Sequence, residues 1–250
     1  MIGVILAAGR GKRLGELTLK QPKPMVPVGG KPAITYVIDG MRKAGIEDII
    51  VVLKYLGDIL VDYLAREYPG IKCVYQGDHY GTAAGLMAVR PHIPNREELM
   101  VSFGDIITIP DDIYSEVRAQ FMARKSSAVL AVNWTEVPES CGVIEIKPTG
   151  EVAKIHEKVS NPPSNLNNTG IFCFKYNIFQ FLRYVVPDNN GEFNLVYAIN
   201  TACNYTSVHA VEYKGELFDI GSPEKLAEAN GRLGAMECPK KVLKSLTKGQ

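Results

Sequence analysis

The chain is predicted to adopt an α/β fold built on a doubly wound, mostly parallel sheet. Three observations lead there. Strand-like and helix-like segments alternate through the first half, the opening strand breaks into a glycine-rich cationic loop, and 250 residues at 46% hydrophobic and 22% charged can bury one sizeable core.

Ile2–Ala8 is apolar apart from Gly3 and reads as a buried strand. Ala33–Ala44 follows as a helix, and Asp48–Lys54 as a second buried strand. Asp58–Glu67 carries Ile59, Leu60, Tyr63 and Leu64 at helical spacing. Ile71–Tyr75 is then a strand, Ala83–Val89 a helix, Leu99–Phe103 a strand and Asp111–Ala123 a helix. The second half changes character. Ala128–Asn133, Val143–Ile146 and Val152–His156 are strand-like, with Pro148-Thr149-Gly150 turning between the last two. Gly170–Phe174 and Val208–Tyr213 read as further strands, and Pro162-Pro163-Ser164-Asn165 as a loop. This half is expected to extend the same sheet and add an antiparallel lid. A last helix, roughly Pro223 to Leu233, precedes a lysine-rich segment, giving one domain over 1–234 and a tail over 235–250, read as solvated or as an interface.

The net charge of +1 gives no global field of the kind that favours nucleic acid or acidic membranes, so an anion site must be local. No stretch reaches the length of a membrane span, and no signal peptide is evident, which points to the cytoplasm. The five cysteines, at least thirty residues apart, form no zinc spacing or disulfide framework and read as reduced core thiols. Cys141 alone, beside a glycine near the predicted site, is either buried or reactive.

In open α/β sheets, ligands bind beyond the carboxyl ends of strands. At the first such end stands Gly9-Arg10-Gly11-Lys12-Arg13-Leu14, then Pro22-Lys23-Pro24. The pattern fails both standard glycine fingerprints: Arg13 follows Gly11-Lys12 where a P-loop needs Ser or Thr, and Leu14 replaces the third glycine of a dinucleotide motif. It is therefore either a polyphosphate loop of another kind or a tight turn with solvated basic residues. Gln76 to Ala83 leaves a strand and opens a helix, with Thr82 as N-cap and Gly81 suited to close approach of a flat ligand. Phe103-Gly104-Asp105 ends a strand with a carboxylate that is either an N-cap or a divalent-metal ligand, and Asp219 repeats the theme before a proline-initiated helix. Glu157-Lys158 and Asn168-Thr169-Gly170 are common surface pairs or contacts to vicinal hydroxyls.

Taken together, Leu6-Ala7-Ala8-Gly9-x-Gly11-x-Arg13-Leu14, Pro22-Lys23-Pro24-Met25, Gly81-Thr82-Ala83, Gly104-Asp105, Glu157-Lys158, Asn168-x-Gly170 and Asp219-Ile220-Gly221-x-Pro223 resemble the sugar-1-phosphate nucleotidyltransferases. The resemblance implies a Rossmann-like α/β/α domain with a mixed central sheet. It implies transfer of a nucleotidyl group from a nucleoside triphosphate to a sugar 1-phosphate, with Mg²⁺ and release of pyrophosphate. By that resemblance, the backbone of Leu6, Ala7, Ala8, Gly9 and Gly11 holds the nucleotide and Arg13 its β- and γ-phosphates. Lys23 sits between the sugar phosphate and the α-phosphate. Gln76, Gly81 and Thr82 read the base, Asp105 and Asp219 hold the metal, and Gly142, Glu157, Lys158 and Asn168 contact the sugar. The motif resembles uridylyl and thymidylyl transferases more than guanylyl ones, so UTP or dTTP with glucose 1-phosphate is expected, with GTP and mannose 1-phosphate as the alternative. A catalytically silent homologue is the reading from another class; the presence of Arg13, Lys23, Asp105 and Asp219 speaks against it. Ile106, where a polar residue is usual, and Phe218, where tryptophan is common, depart from the pattern. A homo-oligomer is expected from relatives, and acetyl transfer is not, for want of hexapeptide repeats.

Overall fold

The computed structural model describes residues 1–246, with side-chain surroundings through residue 234. The chain runs through β1 (Ile2–Leu6), β2 (Pro27–Val28), β3 (Lys31–Pro32), α1 (Ala33–Lys43), β4 (Ile49–Leu53), α2 (Gly57–Glu67), β5 (Lys72–Tyr75) and α3 (Thr82–Val89). Then come β6 (Leu99–Phe103), β7 (Ile106–Ile109), α4 (Ile113–Arg124), β8 (Ala128–Trp134), β9 (Gly142–Ile146) and β10 (Val152–Glu157). The last elements are β11 (Leu166–Phe174), α5 (Ile178–Leu182), α6 (Leu195–Tyr205), β12 (Val208–Glu212), β13 (Glu216–Asp219) and α7 (Pro223–Leu246).

Nine strands make one mixed sheet. β5, β4, β1 and β6 are mutually parallel; β11 joins β6 antiparallel, β8 joins β11 antiparallel, and β12 lies parallel to β8. The β9–β10 hairpin branches from the start of β11 through the pair Asn167 and Val143. Two small antiparallel pairs stand apart, β2 with β3 and β7 with β13.

Alternation along the strands separates two cores. Val4, Val52, Val101 and Phe172 face α3, α5 and α6 on one side, while Ile5, Val51, Met100 and Ile171 face α1, α2 and α4 on the other. Each fully buried Val, Leu or Ile contributes about 1.5–3 kcal/mol, so three layers follow from period-two patterning in strands apolar on both faces. A third, smaller core matters more for function. Leu14, Val26, Val28, Ala33, Ile107, Phe218, Ile220 and Ala229 gather between the opening loop, β2, the β7–β13 pair and α7.

The sequence expectations hold for every predicted strand and helix to within a few residues, with four differences of substance. β2, β3, β7, β13, α5 and α6 have no counterpart among the sequence expectations. Thr82 is not an N-cap: Gly81 holds that position, and the Thr82 hydroxyl instead accepts the Leu195 N–H at 2.8 Å, tying α3 to α6. Asn168 does not precede a strand but lies inside β11, where the register shifts between Asn168 and Phe172. The last helix runs on to Leu246 rather than stopping near Leu233; whether the tail's side chains are solvated or at an interface lies outside the described surroundings, as does Cys238. Of the other thiols, Cys173 and Cys203 are buried and free, whereas Cys73 and Cys141 are half-buried and free. No helix among the described residues is long and apolar enough to cross a membrane.

Candidate active site

β1 ends at the switch point of the sheet, flanked by β4 and β6 running the same way. Loops leaving these strands therefore share one edge. The Ala7 N–H donates to Val52 O and the Gly104 N–H to Leu6 O, both at 3.0 Å, which extends the ladder one step into the loops. A Cβ on Gly104 would stand 3.2 Å from Ala7 Cβ and 3.4 Å from Pro24 Cγ. The glycine loop, the lysine segment and the first aspartate thus close on one another, and Gly104 is the residue small enough to permit it.

Beyond β1 the chain makes short 3-10 turns over Lys12–Thr18 and Lys23–Met25. Gly11 opens the first in the left-handed region (φ 65°), and Gly15 (φ 56°, ψ −126°) bends it again. Leu14 turns inward to the small core, and exposed Arg13 sets its Nη2 3.0 Å from where a Cβ on Gly221 would stand. Pro22 and Pro24, both buried, fix the backbone around half-buried Lys23.

The two aspartates are brought together by β-pairing. Antiparallel β7 and β13 set Asp219 opposite Ile106, and the Ile220 N–H reaches Asp105 O at 3.4 Å. The departures from the family pattern, Ile106 and Phe218, are buried in this strand pair. Lys23 Nζ is hydrogen-bonded to Asp105 Oδ2 and lies 3.6 Å from Asp219 Oδ1. Burial alone would lower the Lys23 pKa, but Asp105 and Asp219 outweigh it, with Arg13 opposing, and the ammonium is held above its usual value. Burial would raise the Asp219 carboxyl; Lys23, Lys225 and Arg13 together bring it below the usual carboxylate range. Lys225, whose Nζ is 3.0 Å from Asp219 Oδ2, has no counterpart in the sequence expectations, and nothing local to α7 marks it as part of the cluster.

Two carboxylates converging on one cation present hard oxygen donors, the set Mg²⁺ selects. Among the described residues, no group of three or more His, Cys, Asp or Glu side chains could hold a metal.

The segment from Gln76 to Gly81 is held through its carbonyls. Lys54, just beyond β4, donates to the carbonyls of Gly77, Asp78 and His79 at 2.6, 3.0 and 3.2 Å. Buried Gln76 donates through Nε2 to His79 O at 2.7 Å and Gly81 O at 3.3 Å, so its amide donor is committed within the loop. Gly81 (φ 112°) is required by a neighbour the sequence does not reveal. A Cβ there would sit 2.4 Å from Phe193 O, because the strand-like approach to α6 runs against it. The close neighbour is Phe193 backbone.

The expected sugar contacts gather on the β9–β10 hairpin and the start of β11. Gly142 pairs with Glu157, and a Cβ on Gly142 would stand 2.4 Å from Glu157 Oε1. Glu157 is exposed as a residue, yet its carboxyl lies deep enough for burial to raise its pKa, partly offset by Lys158. Lys158 (φ 47°) donates its N–H to Cys141 O at 3.0 Å. Asn168 is half-buried, opposite Val132, with Oδ1 accepting the Gly170 N–H at 3.4 Å.

Comparison with known proteins follows the same lines. The family model described as nucleotidyl transferase matches residues 2–235. The UTP–glucose-1-phosphate uridylyltransferase AglF of Haloferax volcanii is 36% identical over 238 residues, covering 93% of this chain and 96% of that one. The bifunctional protein GlmU of Methanocaldococcus jannaschii is 31% identical over 230 residues, 92% of this chain but 53% of its own, so the chain spans about half the length of that relative. A UDP-glucose pyrophosphorylase crystallised with UDP-glucose shares the fold at a TM-score of 0.86 and 23% identity, covering 94% of this chain and 98% of that chain. With the opening loop, the lysine and the paired aspartates falling inside the matched span, the chain belongs to the nucleotidyl transferase family.

Proposed function

We propose that the chain transfers a uridylyl group from UTP to glucose 1-phosphate and releases pyrophosphate, with dTTP as the alternative donor. The observation that carries this reading is the meeting of Lys23 with both Asp105 and Asp219, beside Arg13, at the carboxyl edge of the sheet. The choice of UTP and glucose 1-phosphate is supported by the Haloferax volcanii relative, whose name states both.

The reaction needs no protein nucleophile. An anionic oxygen of the sugar phosphate attacks the α-phosphorus in line, the bond from that phosphorus to the bridging oxygen of the β-phosphate breaks, and pyrophosphate leaves with the electron pair. What the protein supplies is positioning and charge. In this reading the backbone from Leu6 to Gly11 holds the nucleotide, and Arg13 meets the β- and γ-phosphates. Lys23, anchored between two prolines, offsets the repulsion between the two phosphate anions as they approach. Mg²⁺, held by Asp105 and Asp219, would supply the neutralisation of phosphate charge that such a transfer requires. Gln76, Gly81 and Thr82 face the base; since the Gln76 amide donor is already committed, its Oε1 is the group left to accept from a base N–H. Gly142, Glu157, Lys158 and Asn168 take the sugar, with the Glu157 carboxylate accepting from its hydroxyls.

The deciding measurement is pyrophosphate release with Mg²⁺ from UTP, dTTP, CTP, GTP and ATP, each paired with glucose, N-acetylglucosamine or mannose 1-phosphate. UTP with glucose 1-phosphate is expected to give the highest kcat/KM. A maximum at GTP with mannose 1-phosphate would overturn the substrate assignment, and no release from any pair by folded protein would overturn the activity.

A further inference from the structure

The opening loop carries two left-handed glycine hinges, Gly11 and Gly15, with Arg13 between them. A loop so hinged has wide conformational freedom unless something fixes it. One side chain reaches both hinges. Thr18, only 4% exposed, sets its Oγ1 at 3.1 Å from Gly11 O and 3.2 Å from Gly15 O, sharing its single proton between the two carbonyls. Its methyl and the Lys23 stem flank Gly11: a Cβ there would meet Thr18 Cγ2 at 3.1 Å and Lys23 Cβ at 3.0 Å. Thr18 is itself tied to the scaffold. Its carbonyl accepts the Tyr55 O–H at 3.0 Å, and Tyr55 directly follows β4 and Lys54. The same Tyr55 ring carries the Arg10 guanidinium, 5.2 Å from its centroid.

We propose that Thr18 is the positioning residue of the triphosphate loop: its hydroxyl fixes the two glycine hinges so that Arg13 and the loop N–H groups are set for the triphosphate, and Tyr55 anchors that hydroxyl's residue to the sheet. The proposal rests on the nucleotide reading of the site given above. It differs from a plain packing role for a buried threonine, which would affect stability and both substrates alike.

Thr18→Val keeps the shape and removes the donor; Thr18→Ser keeps the donor and removes the methyl. Calorimetric binding of UTP and steady-state kinetics are measured for each, beside thermal melting. Thr18→Val is expected to raise the UTP Kd and KM about tenfold, with the KM for glucose 1-phosphate changed less than about twofold. Thr18→Ser is expected to recover the UTP Kd to within about threefold of wild type. An unchanged UTP Kd in Thr18→Val, or a Thr18→Ser variant as weak as Thr18→Val, would overturn the proposal. Should Thr18→Val fail to fold, Tyr55→Phe decides: a UTP Kd raised about threefold supports the anchor, and an unchanged one overturns it. A wild-type chain that binds no nucleoside triphosphate at all would reject the site reading itself, and this inference with it, a result distinct from loss confined to the variants.

Discussion

Lys23 shows how much one side chain can depend on its setting. A lysine on an open loop would be a solvated point charge with four rotatable bonds. Here buried prolines hold its backbone, and Asp105 and Asp219 hold its ammonium charged. Preorganised charge of this kind needs little rearrangement during reaction, and removing one such group costs on the order of 10²-fold in rate. Lys23→Ala and Asp105→Asn are each expected to lower kcat by at least ~10²-fold while circular dichroism stays near wild type. Turnover within a few-fold of wild type in either variant would remove that residue from the chemistry. Both residues stand out in the sequence, one by its flanking prolines and the other by its place at a strand end. Lys225 does not: its ion pair with Asp219 spans the turn from the end of β13 into α7, and no helix or strand period marks that spacing.

At the scale of the element, two antiparallel strand pairs carry the site's halves. The β7–β13 pair brings the aspartates together, and the β9–β10 hairpin presents Glu157 beside Gly142. Gly142→Ala tests the second. The added Cβ would stand 2.4 Å from Glu157 Oε1, the far end of a flexible side chain, so the carboxyl must swing away while the backbone stays put. The expected result is a KM for the sugar phosphate raised several-fold, an unchanged KM for the triphosphate and a Tm within about 3 °C of wild type. Equal change in both KM values would count against Glu157 as a sugar contact. The elements that escaped sequence reading share a cause. β7 and β13 have only four residues each, too few for a period to declare itself, and β13 contains the acidic residues Glu216 and Asp219. α6 has no charged residue to contrast with its apolar face, although Asn194, which accepts the Val196 N–H at 3.0 Å, is a legible N-cap. Gly81 is legible as special from the sequence, but the Phe193 backbone that also demands a glycine there lies far along the chain and is not.

For the whole molecule, the charges at the site also bear on stability. The Lys23 pKa is raised in the fold, so its contribution is complete below the unfolded value of about 10.4 and is lost as pH rises through the folded one. The Asp219 pKa is lowered, so its contribution is complete above the unfolded value of about 3.9 and is lost as pH falls through the folded one. Between roughly pH 5 and 9 neither group titrates in either state, and the urea midpoint contribution from this pair is flat. Below about pH 4 the midpoint is expected to fall, and to fall less steeply in Asp219→Asn. An identical acid limb in the variant would show that the cluster contributes nothing to folding. The three cores explain why such a cluster is tolerated: two large cores secure the sheet, and the third, built from neighbours of the candidate site residues, serves to hold the site.

The sequence by itself determined the layered α/β plan, the glycine loop at the first strand end and the lysine between prolines. Each is a local property: side-chain period, glycine and proline sterics, and charge within a few residues. Only the tertiary structure decided that Asp105 and Asp219 share one lysine, that Lys225 joins them, that Gly81 answers to Phe193, and that Thr18 ties both hinges of the loop. The aspartate pair and the Gly81–Phe193 approach depend on pairing between segments distant in sequence, whereas the Lys225 and Thr18 contacts depend on turns over a few residues that no side-chain period or propensity marks.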